Sequence, residues 1–165
     1  MPEFRMDPGG GPGTIILERG GDFWRERFQA GHEVFHWLIT PASAYPGIHH
    51  WTHEMFANEM GVRCLRASGI RDAEAMAEEY AKWLESKSEE TTLLKMLTTP
   101  LTPPYEWVFG RAFVIGRKLQ KAVSWERLKP LATAEPDIRS WLEALPAKLR
   151  RAANEVLGEP SDEWV

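Results

Sequence analysis

Phe28, Phe35 and Leu38 recur at helical spacing across residues 23–39, so this stretch is expected to form a helix with one apolar stripe. Asp22 stands where a side-chain cap belongs, and Pro41 ends the run. A second helix is expected over about residues 49–67, before the Ser68-Gly69 stop. Beyond residue 70 the pattern is almost wholly helical, in segments near 72–87, 89–98, 105–122, 125–133, 137–144 and 147–157. Pro100, Pro103 and Pro104 make a stiff link, and Pro130, Pro136 and Pro146 punctuate the shorter helices. Thr14-Ile15-Ile16-Leu17-Glu18 is apolar and β-branched and stops at Gly20-Gly21, which makes it the one clear strand. Residues 7–13 are dense in Gly and Pro, so residues 1–13 are expected to form a flexible leader. The fold class that follows is mainly α (α+β): a short N-terminal strand, a core over 14–99, and a helical region over 100–165 packed on it.

Composition narrows the class of partner. The 165 residues, 43% of them hydrophobic, suit one domain with a real core. Twenty basic against 24 acidic residues give a net charge of −4 and no dominant basic stripe, so neither nucleic acid nor an anionic membrane is expected as a direct partner. No apolar run is long enough for a membrane span, and the N-terminal residues lack the apolar stretch of a secretory signal. A cytoplasmic location is therefore expected. Cys64 is the single cysteine, which excludes an internal disulfide and a cysteine-rich zinc site; its apolar helical setting reads as a small core residue. Trp83, Trp107, Trp125 and Trp141 fall in the expected helices and read as packing residues.

The candidate chemistry lies in the histidines. All five occur between positions 32 and 53, and the first two frame His32-Glu33-Val34-Phe35-His36, an HExxH sequence. On a helix, residues four apart lie one above the other, so both imidazoles can reach one metal ion while Glu33 flanks it about 100° around. Two neutral imidazoles and a carboxylate that activates water form the zinc-peptidase arrangement. A catalytic zinc site needs a third protein donor and an open position. Glu54, on the second expected helix, is the favoured donor, with Asn58 one turn further on the same face and suited to orienting a ligand. His49, His50 and His53 compete for the position, since imidazole is an ordinary zinc donor, although His53 points about 100° away from Glu54. An oxyanion donor is also required, and Tyr45, His49 and His50 are the candidates near the expected metal. A lone histidine would read as a core or solvated residue; five clustered ones with a nearby carboxylate favour a metal.

The motifs resemble those of the ImmA/IrrE family of zinc metallopeptidases. Arg27-Phe28-Gln29-Ala30-Gly31-His32-Glu33 is similar to the family's R-F-x-x-A-H-E segment, and Glu54-Met55-Phe56-Ala57-Asn58 to its E-x-x-A-N motif. The resemblance covers about residues 14–67. It implies a gluzincin-like site on a minimal zincin-like core: His32, His36 and Glu54 as Zn2+ ligands, Glu33 as general base. It also implies a cytoplasmic protein substrate such as a helix-turn-helix repressor. Phe35 stands where the family commonly has glycine, Arg66-Ala67 replace a common Met-Pro pair, and the segment before the first helix is short for a full zincin sheet. These departures keep two alternatives open. One is a non-catalytic zincin-like module whose helical C-terminal portion docks a partner protein; the other is a phage or mobile-element regulatory protein.

Overall fold

The computed structural model describes residues 3–5, 14–16, 23–39, 51–88, 106–133 and 135–158. The chain is mainly helical, as its periodicity predicts. Two short strands, β1 (Glu3–Arg5) and β2 (Thr14–Ile16), are followed by α1 (Phe23–Ile39), α2 (Trp51–Arg66) and α3 (Ala73–Ser86). After them come α4 (Glu106–Val123), α5 (Trp125–Leu128) with a 3-10 turn over Lys129–Leu131, α6 (Ile138–Ala144) and α7 (Ala147–Leu157). The expected helix over 89–98, the Asp22 cap and the loop from Pro41 lie outside the described residues. The segment expected to be helical over about 125–133 is a single α-turn that tightens into 3-10 geometry at Pro130, the residue expected to punctuate it. Asp137, with its carboxylate accepting from the Ser140 amide at 2.8 Å, caps α6.

The leader carries a correction. Glu3–Arg5 pair antiparallel with Thr14–Ile16, Phe4 opposite Ile15, so β2 is not the lone strand and part of the leader is regular. Thr14, Ile15 and Ile16 are all β-branched, which suits a pleated pair.

The central element is α2, which packs on α1, α3 and α4. Its burial extends nearly all round, from Trp51 to Leu65, and includes the polar Thr52, His53, Glu54, Asn58 and Glu59. Met55, Phe56 and Val62 are almost wholly buried, and each such side chain contributes about 1.5–3 kcal/mol relative to exposure. α1 runs antiparallel to α2: Gly31 lies against Met60, Gly61 and Cys64, while Phe35 stacks on Phe56 at 5.6 Å between centroids. That approach is possible because two glycines meet there. A methyl on Gly31 would stand 2.6 Å from Cys64 Cβ, and one on Gly61 would stand 2.6 Å from the Phe28 ring.

Phe35, the large ring in the glycine-like position, enters the main core with Trp51, Phe56 and Leu119. Leu38 does not follow it. It is 65% exposed, because α2 meets this face of α1 most closely near Gly31, about two turns earlier. Trp141 is buried and Trp125 is partly buried against Phe56, as expected of packing residues, whereas Trp83 is exposed on α3 beneath the Lys87 ammonium. Trp107's side chain lies outside the described residues. Cys64 is half-buried in the α1–α2 contact.

Candidate metal centre

His32 and His36 share one face of α1, and the antiparallel α2 brings Glu54 across to them. His32 Nε2 and His36 Nε2 are 3.1 Å apart. Glu54 Oε2 lies 3.4 Å from His32 Nε2, and Glu54 Oε1 lies 3.5 Å from His36 Nε2. Donor atoms of these three residues all fall within 4.8 Å of one another, and no other such group of histidine, cysteine or acidic side chains occurs among the described residues. Ligand atoms bound tetrahedrally to one zinc ion stand about 3.3–3.5 Å apart, so the spacing suits a common ion.

Burial sharpens the fit. Glu54 is 7% exposed, yet among the described residues its Oε2 has no hydrogen-bond partner, its approach to His32 Nε2 at 3.4 Å being a charge contact. A buried carboxylate oxygen without a donor is costly unless a cation meets it. His32 Nδ1 is likewise buried without a partner among the described residues. The donor set of two imidazoles and a carboxylate matches zinc chemistry.

The electrostatics of the three side chains reflect this crowding. Burial alone would lower the His32 imidazole pKa, but contact with Glu54 and the charges of Glu54 and Glu33 outweigh it, so the group titrates above its ordinary value. Burial would raise the Glu54 carboxyl; the His36 charge and contacts with both imidazoles hold it well below the carboxylate range.

Glu33, the proposed base, is 6% exposed and close enough for its charge to act on His32. Asn58 is buried on the Glu54 face; its Nδ2 donates to the Phe109 carbonyl at 3.2 Å, and its side chain favours the charged form of His32. It therefore ties α4 to the site. His53 goes elsewhere. Its Nε2 lies 2.9 Å from the Thr133 carbonyl, and a carbonyl only accepts, so the Nε2 proton is committed there and His53 does not join the cluster. Among the described competitors for the third position, Glu54 converges with His32 and His36 and His53 does not. Tyr45, His49 and His50 lie outside the described residues.

The walls around His32 were not legible as site residues. The Phe28 ring lies 5.9 Å from the His32 ring and Phe109 meets it edge-on at 6.2 Å, so the imidazole is held between two aromatic rings. Phe28 carries a signal in retrospect, one helical turn before His32; Phe109, from a distant helix, carries none. Among the described residues no helix is long and apolar enough to cross a membrane. Comparison with protein-family models, curated proteins and solved structures yields no match.

Proposed function

We propose that the protein is a zinc-dependent peptidase that cuts a specific cytoplasmic regulator, a helix-turn-helix repressor being the substrate class its motifs suggest. The observation that carries this reading is the convergence of His32, His36 and the buried Glu54 carboxylate at 3.1–3.5 Å, with Glu54 Oε2 lacking a hydrogen-bond donor among the described residues. When bound, zinc supplies Lewis acidity, lowering the pKa of water toward neutrality and polarising a carbonyl. His32 and His36 would hold the ion as neutral imidazoles, and Glu54 would add a negative charge. Phe28, Phe109 and Asn58 fix the rings and the helix that present those donors. Glu33 takes the proton from the attacking water as it adds to the peptide carbonyl, then passes it to the leaving amine as the C–N bond breaks. Its place on α1 beside His32, close enough for its charge to act on that ring, supports the role.

The test is incubation of the zinc-loaded protein with a repressor encoded beside it, comparing wild type with Glu33→Gln. Cleavage by wild type alone, at equal zinc content, is the expected result; equal cleavage by both would remove Glu33 from the mechanism.

One observation favours a second reading. Among the described residues the sheet is a single antiparallel pair of three-residue strands, short for an edge that aligns an extended peptide. On that reading the domain is a metal-holding, protein-binding module, and the zinc-loaded protein would bind the repressor without cutting it.

A further inference from the structure

The side of α2 away from the histidines carries a second feature. Glu59, Arg63 and Arg66 lie about 120–180° around α2 from Glu54. With Arg117, Lys118 and Lys121 of α4 they line an open cleft of about 700 Å³. The lining holds five cationic side chains and two acidic ones, Glu59 and Glu85, on a chain whose net charge is −4. The cations are concentrated there.

The arginines are already oriented. Arg63 Nε donates to Glu59 at 2.8 Å with its guanidinium 4.3 Å over the Trp125 ring, and Arg117 Nη1 donates to Glu85 at 3.2 Å with its guanidinium 4.6 Å over Phe113. Arg66 is held by Glu74 and Glu78. A guanidinium has five N–H donors, so one carboxylate contact leaves several for a ligand while its ring contact lowers the entropy lost on binding. Lys118 and Lys121 are exposed, nearly one turn apart, and make no ion pair among the described residues. The carboxylates beside the three arginines offset much of their charge, so the uncompensated positive charge of the cleft rests on Lys118 and Lys121, whose neighbouring ammonium groups favour the entry of an anion.

The cleft is open and its lining is mostly charged, unlike the enclosed apolar pockets that take small organic ligands. Helical neighbours three or four apart are about 5–6 Å apart, close to the roughly 6.6–6.8 Å between alternate side chains of an extended peptide. We propose that the cleft between α2 and α4 binds an acidic, Asp/Glu-rich segment of a partner protein. Carboxylates on alternate residues meet Lys118 and Lys121, and others take the remaining N–H groups of Arg63 and Arg117. The site is separate from the metal centre, being on the opposite face of α2, and stands whether or not the protein is a peptidase.

The probe is a fluorescein-labelled peptide of five Glu-Ala repeats, titrated with the full chain at low salt and followed by anisotropy. Saturable one-to-one binding is expected, weakened about tenfold or more in the Lys118→Glu/Lys121→Glu double variant and several-fold in the milder Lys118→Gln/Lys121→Gln one. The charge-matched Arg139→Glu/Lys148→Glu variant, altered on α6 and α7, is expected to bind within about twofold of wild type. All four positions are exposed, and circular dichroism verifies that the variants keep their helices. Equal weakening in both charge-reversed variants, or no saturable binding, overturns the proposal. Displacement of the peptide by inorganic pyrophosphate at lower concentration than by unlabelled peptide overturns it in favour of a small-anion site.

Discussion

His32 of α1 and Glu54 of α2 meet at 3.4 Å across the interface of the two helices, Glu54 buried and His32 partly so, each shifted in its titration by the other. The pair gives the metal-free protein a defined pH signature. Glu54 titrates well below its ordinary 4.5, so its share of stability is full above that value and is lost as pH falls through the depressed pKa. His32 titrates above its ordinary 6.5, so its share is full below that value and is lost as pH rises through the raised pKa. The difference in Tm between wild-type apoprotein and Glu54→Gln should therefore peak between 4.5 and 6.5 and shrink on both sides. A difference that stays flat from pH 4 to 9 would count against the coupling.

Metal binding should run the other way with pH. Zinc needs a neutral His32 and competes with the proton that Glu54 and Glu33 favour there, so affinity rises as pH increases through the raised His32 pKa. Calorimetric titration at pH 6 and pH 8 should give tighter binding at the higher pH, with proton release at the lower. Glu54→Gln should weaken binding on the order of 100-fold or more at either pH, because a charged donor is lost.

His53→Ala separates the two residues that stand side by side on α2. Its ring is committed to the Thr133 carbonyl at 2.9 Å, so the substitution should cost about 1–3 kcal/mol of stability in denaturant titration. Zinc content by elemental analysis should remain one per chain. Loss of the metal with unchanged stability would instead make His53 a ligand.

Gly31→Ala should harm the site from outside it. The added methyl would stand 2.6 Å from Cys64 Cβ and 2.9 Å from the Met60 carbonyl, so α1 and α2 must separate where they carry His32 and Glu54. Overpacking of this kind costs about 1–3 kcal/mol, and zinc affinity should fall with it. An alanine variant with unchanged thermal midpoint and unchanged zinc titration would show that the helices have slack.

Phe35→Ala should cost about 3–5 kcal/mol, since the ring is buried against Phe56 and Trp51, while Leu38→Ala should change stability by less than about 0.5 kcal/mol. Urea unfolding of the two variants compares them directly. Similar losses would mean that the exposed face of α1 is covered.

Much of this molecule could be read along the chain. Helical periodicity, proline breaks and the HExxH spacing are local properties, set by 3.6 residues per turn, and they placed α1 to α4, α6 and α7 within a residue or two of where they lie. The same rule put His32 and His36 on one face, and set His53 apart from Glu54. What the pattern could not contain is contact between segments. That Glu54 and not His53 meets the two histidines, that Gly31 and Gly61 permit the approach, and that Phe109 walls the site all depend on how α1, α2 and α4 pack. Strand β1 was hidden because a three-residue strand exists only through its partner, and Leu38 looked like core because periodicity records which face is apolar without saying how far the neighbouring helix extends along it. Local spacing is written in the order of residues; the choice among competing ligands belongs to packing, which only the folded chain decides.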